Sequence, residues 1–207
     1  VLCDLQQLFT TRNRLLRTLN QLKTPLQEGA RFLPKKMQKD LQNACNPALK
    51  GIEKSLKVTM EAIERHIEKD TQLAGMSEII TSIKGVGPQL ATGFIIASHG
   101  FQKIRSAEAM ACYAGVAPFE HISGTSIRGR NRVSPLANKP LKALLHMSAL
   151  SAIRHNEELK AYYERKVASG KSKMSVINAV RHKLIARIFA CIRDGRKYEK
   201  NYTRKVA

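Results

Sequence analysis

The part of the sequence best suited to covalent chemistry on a polyanion is a serine-containing loop that is followed by arginines. Ser123 and Ser126 come just before Arg128, Arg130 and Arg132. In an extended chain alternate residues project to the same side, so the three guanidinium groups would form a stripe suited to phosphate oxygens. A serine hydroxyl beside them could attack a phosphodiester while the arginines stabilise the developing charge. Judged from spacing alone, an ordinary loop hydroxyl is the more common role for such a serine.

A second candidate phosphate-binding element is a turn with two glycines near residue 85. Residues 83–91 have the form apolar-x-Gly-apolar-Gly-x-x-x-Ala, which resembles the helix-hairpin-helix motif that binds DNA backbone. The glycines allow backbone N–H groups to approach a phosphate, and Pro88 begins a helix whose N-terminus favours an anion. A glycine turn that only packs two helices is the alternative. The candidate DNA contacts in this motif are Lys84, Gly85, Gly87 and Gln89.

The charge balance favours nucleic acid as the partner. Lysine and arginine number 36 against 16 acidic residues, which gives a formal charge of +20. No acidic residue lies between Glu120 and Glu157, and Lys139 and Lys142 fall inside that gap as further candidate DNA contacts. Each phosphate that a cation neutralises releases counterions, so DNA is the expected partner. A membrane surface is not expected, because no basic helix carries bulky apolar residues on its opposite face.

Several other classes of protein are disfavoured. The four cysteines contain no C-x-x-C pair, which argues against a zinc module. One helical face carries three acids, Glu61, Glu64 and Glu68, but basic residues lie between them. This pattern is typical of a solvated helix, so we expect no metal ion bound to this chain. Tyr162 and Tyr163 lack the surrounding Arg and His residues of a tyrosine recombinase.

The elements that must position these candidates are predicted to be mainly α-helical. Apolar residues at heptad spacing from Leu5 to Leu22 and from Leu49 to Ile67 predict two helices, which form either an antiparallel hairpin or a dimeric coiled coil. A loop is expected over Thr24–Asn46, with Pro47 at the start of the second helix. Strands are plausible only between Val116 and Pro135. Further helices are predicted at Ser77–Lys84, Pro88–Ser98, Ser106–Ala114, Asn138–His155, Asn156–Ala168 and Ser172–Asp194.

These patterns divide the chain into three parts. Residues 1–76 form a coiled-coil arm, residues 77–198 form a compact helical DNA-binding domain with the helix-hairpin-helix at 77–98, and residues 199–207 form a basic tail. The compact domain is expected to contain one Gly/Ser/Arg-rich loop or short hairpin.

The order of the motifs carries a family resemblance. The runs at 85–88, 113–118, 123–126, 138–145 and 179–184 follow one another as in the C-terminal half of bacterial insertion-sequence transposases. The sequence resembles the family named for IS110, IS116 and IS902, which includes the invertase Piv, over about residues 79–198. Pro135 and Ala137 depart from it, since relatives often have Lys and Gly there.

The resemblance implies more than the residues alone. Family members consist of a ribonuclease-H-like domain, a coiled coil and a C-terminal transposase domain. The first domain carries a DEDD tetrad, which implies Mg²⁺ bound there. A bridge RNA guides at least some members of the family. The serine after the A-P motif attacks DNA and forms a phosphoserine intermediate. Mapped here, that nucleophile is Ser123, with Ser126 as the weaker candidate.

The sequence thus predicts a DNA recombinase fragment that acts as an enzyme only within a longer protein and is inactive alone. The chain begins at Val1 and supplies no DEDD tetrad, which predicts that the metal domain lies upstream. The expected partners are DNA, a bridge RNA and further copies of the chain, as a dimer or tetramer, in the bacterial cytoplasm at the nucleoid. The alternative is a non-catalytic DNA-binding module built on the helix-hairpin-helix.

Overall fold

The computed structural model describes residues 1–29, 31–123 and 127–200, with the backbone alone for residues 120–123 and 127–132. This part of the chain contains eight helices and one two-stranded sheet, so the prediction of a mainly helical fold is confirmed. It divides into two compact units, Val1–Thr71 and Gln72–Ala207, whereas the sequence pattern placed the end of the arm at residue 76. None of the described helices has both the length and the apolar character needed to cross a membrane.

The first unit is a pair of long helices, α1 (Leu2–Gly29) and α2 (Lys35–Glu68), which pack against each other. Leu5 and Phe9 near the start of α1 are buried, as are Ile63 and Ile67 near the end of α2. The heptad-spaced apolar residues therefore stabilise a helical pair within one chain, one of the two arrangements that the spacing allowed.

The loop predicted over Thr24–Asn46 is wrong. Helix α1 continues through Pro25 to Gly29, and α2 begins at Lys35 with Pro47 inside it. Proline lacks an N–H and disfavours a helix interior, but its fixed φ is compatible with helical backbone. Eight of the thirteen residues from Lys35 to Pro47 are Lys, Gln, Met, Leu or Ala, which are strong helix formers, so the helix extends across the proline.

The second unit surrounds its last helix. The elements in chain order are α3 (Thr71–Thr81), α4 (Pro88–Ser98), α5 (Ala107–Tyr113), β1 (Pro118–Ser123), β2 (Ile127–Val133), α6 (Lys139–His155), α7 (Glu157–Ala168) and α8 (Lys173–Arg193). Helix α8 packs against α5, α6 and α7, and it buries Val180, Leu184 and Ile188 completely. Phe94 of α4 and Leu145 of α6 complete this apolar core.

Local capping explains why most predicted boundaries of the second unit are right. Asn138, Asn156 and Ser172 each accept a hydrogen bond from a backbone N–H three residues later, at 3.0, 3.2 and 3.3 Å. Helix α4 matches its prediction to the residue. Helix α3 does not, since it begins at Thr71 rather than Ser77 and ends at Thr81, before the glycine turn.

Candidate nucleic-acid interface

The predicted nucleophile lies on a two-stranded antiparallel hairpin. Ser123 is the last residue of β1 and pairs with Ile127, the first residue of β2. Arg128 lies opposite Ile122, one register position from that pair. The backbone thus brings the serine and the start of the arginine run to the same end of the hairpin. Ser126 lies outside the described residues, and so do residues 201–207 of the predicted basic tail.

The arginine run is not a regular strand along its whole length. The register shifts between Phe119 and His121, so that Arg130 and Asn131 of β2 lie opposite a single residue of β1. This two-against-one arrangement is a β-bulge, and it interrupts the strict alternation of side chains. The expectation that Arg128, Arg130 and Arg132 share one side assumed an uninterrupted extended strand, and it stays a prediction. The bulge falls between the second and third arginine of the run.

The base of the hairpin is fixed to the helices around it. Asn138, which follows β2, donates its backbone N–H to the Tyr113 carbonyl at 2.9 Å and its side-chain N–H to the Tyr113 hydroxyl at 3.0 Å. Before β1, the carbonyl of Val116 accepts a hydrogen bond from Asn178 of α8 at 2.8 Å. An isolated hairpin is only marginally stable, so these bonds to α5 and α8 are what hold its base in place.

Gly115 brings the two ends of the hairpin into contact. Its φ is +64°, in the left-handed region that favours glycine. A Cβ atom at this position would lie 2.3 Å from the Cβ of Ala137, closer than van der Waals contact permits. The backbone of the segment before β1 therefore packs directly against the methyl group of Ala137 in the segment after β2. Ala137 fills this contact, although the family resemblance led us to expect glycine there.

Helix α6 presents two of the predicted DNA contacts beside this base. Lys139 is exposed in its first turn, and Lys142 is half-buried one turn further on. The Nζ atom of Lys142 lies 3.7 Å from the point where a Cβ on Gly115 would be. Burial lowers the pKa of Lys142, and the positive charge of Arg181 lowers it further. Cationic groups thus extend from the start of α6 toward the interior of the unit.

The two-glycine turn joins α3 to α4. Gly85 has a φ of +96°, and a Cβ there would lie 2.5 Å from the Cα of Ala152 in α6. Gly87 precedes α4 with extended backbone, and nothing lies within 4 Å of its would-be Cβ. Gly85 is thus required for packing, while Gly87 leaves open space in front of the α4 N-terminus. The packing alternative accounts for Gly85 but not for Gly87.

The other two predicted contacts in this motif differ in exposure. Lys84 is exposed on the turn, as a mobile phosphate contact would be. Gln89 is half-buried, and its Oε1 atom has no hydrogen-bond partner within the described chain. Only Lys84 of this pair presents its polar group freely to solvent.

One charged residue near the hairpin was not predicted. Arg181 of α8 is only 7% exposed, and its Nη1 atom donates to the side-chain oxygen of Asn178 at 3.2 Å. Its Nη2 atom donates to Nδ1 of His146 on α6. The sequence does carry a signal for this burial: residues 177, 181, 184 and 188 have the 4-3-4 spacing of a buried helical stripe, and the arginine occupies one position in it.

The described residues contain no group of three or more His, Cys, Asp or Glu side chains arranged to hold a metal ion. Several acids of the described second unit form ion pairs away from the hairpin, among them Glu158 with Arg187 and Glu157 with Lys200.

Comparison with known proteins identifies the domain that carries the hairpin. A family model described as Transposase IS116/IS110/IS902 family matches residues 77–164, which include the glycine turn, both strands and the whole of α6. The chain carries a domain of this transposase family. The resemblance drawn from the ordered motifs is thereby confirmed.

Individual relatives of this transposase domain are similar over about two thirds of the chain. The 43.6 kDa protein of insertion element IS110 from Streptomyces coelicolor is 30% identical over 138 residues, which cover 67% of this chain and 34% of that protein. The pilin gene-inverting protein of Moraxella bovis is 28% identical over 130 residues, 62% of this chain and 40% of that protein. The 42 kDa protein of insertion element IS900 from Mycobacterium paratuberculosis is 30% identical over 132 residues, 63% and 33% of the two chains. The matched regions thus span between a third and two fifths of these relatives.

Proposed function

We propose that this chain is the DNA-binding and strand-exchange part of a recombinase, with Ser123 as its nucleophile. The observation that supports this best is the hairpin: it brings Ser123 and the start of the arginine run to one end of a β-ribbon whose base is bonded to α5 and α8. A rigid base favours catalysis because a nucleophile must be held close to its reacting geometry. A named relative, the pilin gene-inverting protein, points to DNA rearrangement as the process.

The reaction proposed is a transesterification. The Ser123 oxygen attacks a DNA phosphorus, a phosphoserine bond forms, and one P–O bond to deoxyribose breaks. The serine proton passes to a base, and the departing deoxyribose oxygen takes up a proton to become a free hydroxyl. The arginines of β2 stabilise the negative charge that develops on the phosphoryl oxygens. Attack by a deoxyribose hydroxyl of a second strand on the phosphoserine reverses these steps and joins new partners.

Carboxylates and Mg²⁺ would be supplied from outside this chain. The family resemblance implies a DEDD tetrad in an upstream domain, and the described residues offer no alternative cluster. When bound, Mg²⁺ would polarise the scissile phosphate and help to generate the attacking oxygen. We therefore propose that this chain alone binds DNA without cutting it, and that a bridge RNA and further copies of the chain complete the reaction.

The test is to trap the covalent intermediate. The longer parent protein, incubated with Mg²⁺, substrate DNA and its RNA, is expected to form an adduct that survives denaturation and maps to Ser123 by peptide mass spectrometry. Ser123→Ala should abolish the adduct, while Ser126→Ala serves as the matched control and should retain it. An adduct that persists in Ser123→Ala removes this residue from the mechanism.

A second candidate function is sequence-independent DNA binding through the α3–α4 turn without catalysis. The open space in front of Gly87 and the exposed Lys84 favour it. Gly87→Ala places a methyl group where a phosphate would approach, and it should weaken the binding of duplexes of any sequence several-fold in fluorescence anisotropy. Unchanged affinity would assign the turn to packing alone.

A further inference from the structure

Arg181 is a buried cation that lacks a counter-charge among the side chains that the structure describes. Among the described residues it is the one charged side chain in the buried class, and its Nε atom has no hydrogen-bond partner there. None of the described carboxylates forms an ion pair with it. Burial is accordingly the factor that lowers the pKa of Arg181. A guanidinium that has lost its water and gained no anion destabilises the fold, so its position calls for an explanation other than stability.

The groups around Arg181 are also basic. His146 accepts a hydrogen bond from it, and Lys142 lies one helical turn before His146 on the same face of α6. Burial and the charge of Arg181 both lower the pKa of His146 and of Lys142. The two packed helices α6 and α8 thus bring three nitrogen-bearing side chains together, and no carboxylate of the described residues forms an ion pair with any of them.

The hydrogen-bonding pattern of this cluster fits an anion with several acceptor oxygens. Because Nδ1 of His146 accepts from a guanidinium, which has no acceptor, the neutral ring carries its proton on Nε2. That N–H is left as a donor, Lys142 offers ammonium donors, and Arg181 has its Nε–H unused. Three donor groups with net positive charge match a phosphate group.

The cluster lies close to the surface. Lys142 and His146 are half-buried beside Arg181. The Sδ atom of Met174 lies 4.0 Å from Nη2 of Arg181, and Met174 itself is 60% exposed. An exposed, unbranched side chain therefore contacts the guanidinium, and methionine is well suited to rearrangement.

We propose that Arg181, His146 and Lys142 form a binding site for one phosphate group of the DNA backbone, beside the base of the β1–β2 hairpin. Two observations place the site there: Lys142 lies beside Gly115, and Asn178, the hydrogen-bond partner of Arg181, also bonds the Val116 carbonyl just before β1. The site would fix the DNA strand relative to the hairpin that carries Ser123. The phosphate chemistry stands on its own, whereas its assignment to DNA rests on the proposed function.

The first test uses inorganic phosphate and thermal unfolding of the full chain. In sodium chloride alone, Arg181→Met should melt at the same temperature as the wild type or higher. The substitution removes an uncompensated buried charge, and methionine has a side chain of similar length to fill the space. Replacing chloride by phosphate at equal ionic strength should raise the wild-type melting temperature in a saturable way, and the rise should be absent in Arg181→Met. Arg187→Met is the matched control on the same helix, where the arginine is paired with Glu158; it should keep the rise.

Two results of this test overturn the proposal: no saturable rise in the wild type, or an equal rise in Arg181→Met. If Arg181→Met does not fold, Arg181→Lys decides instead. This variant keeps the charge but not the fork of donors, so it should fold and need more phosphate to reach the same melting temperature. A phosphate dependence of Arg181→Lys identical to that of the wild type would also refute the site.

The second test separates this site from the proposed function. The affinity of the full chain for a short labelled duplex is measured over a range of sodium chloride concentrations. Each phosphate contact contributes about 0.9 to the slope of log affinity against log salt, so Arg181→Met should lower the slope by roughly that amount and Arg187→Met should not. An unchanged slope in Arg181→Met refutes the DNA contact. If the wild type does not bind the duplex at all, DNA binding by this chain fails, and the inorganic phosphate test still decides the site.

Discussion

Replacing the two glycines of the α3–α4 turn one at a time should separate packing from DNA binding. In Gly85→Ala the new methyl group would lie 2.5 Å from the Ala152 Cα and 2.6 Å from its backbone nitrogen, and the φ of +96° disfavours a side chain. The backbone conformation costs roughly 1–2 kcal/mol. Overpacking against backbone atoms adds about 1–3 kcal/mol. We therefore expect Gly85→Ala to lower the free energy of unfolding by about 2–5 kcal/mol.

Gly87→Ala is the matched control, since its φ is −100° and its would-be Cβ meets nothing within 4 Å. Alanine caps a helix less well than glycine but restricts the unfolded chain more, so the two effects should leave stability within about 1 kcal/mol of the wild type. Urea unfolding followed by far-ultraviolet circular dichroism measures both variants. Equal unfolding midpoints for the two variants would refute the close approach of α3–α4 and α6. DNA affinity should respond differently from stability, because Gly87→Ala should weaken DNA binding although the variant remains folded.

Three further predictions follow from contacts in the second unit. The lowered pKa of His146 means that the unfolded chain binds a proton more readily than the folded one, so stability should be complete above about pH 6.5 and fall as the pH drops through the folded pKa. Chemical denaturation at several pH values should show a smaller fall in His146→Gln, and an identical fall would contradict this. Asn138→Ala removes two side-chain bonds, the α6 cap and the bond to the Tyr113 hydroxyl, and should cost about 1–2 kcal/mol in urea unfolding. The loss of adduct formation in the parent protein should exceed any loss of DNA affinity. Burial raises the pKa of the Cys191 thiol, so alkylation of the native chain should modify exposed Cys3 before Cys191. Equal alkylation rates at the two cysteines would contradict the burial of Cys191 in α8.

The features that the sequence predicts well are set by neighbouring residues. The starts of α6, α7 and α8 depend on Asn138, Asn156 and Ser172, whose side chains bond a backbone N–H only three residues away. Such local contacts are encoded by residue type and spacing, so reading the chain finds them to within a residue or two.

The features that were missed depend on residues far apart in the chain. The bulge in the arginine run is a property of how β1 and β2 pair, and alternation in a single strand does not reveal it. The burial of Arg181 depends on α6 packing against α8, with His146 35 residues away. Long-range packing decides these two cases. The extension of α2 through Pro47 has a local cause instead, because the helix formers before the proline outweigh its unfavourable position.

The contact between Gly115 and Ala137 has a consequence for how sequences of this kind can diverge. The space between the two backbones holds one methyl group, which residue 137 now supplies. A larger side chain at 137 would force the strands of the ribbon apart at their root, while glycine there would leave a small gap and loosen it. Substitutions at this pair are therefore expected to be constrained jointly, so the spacing of the two strands would be inherited through the combined volume of residues 115 and 137.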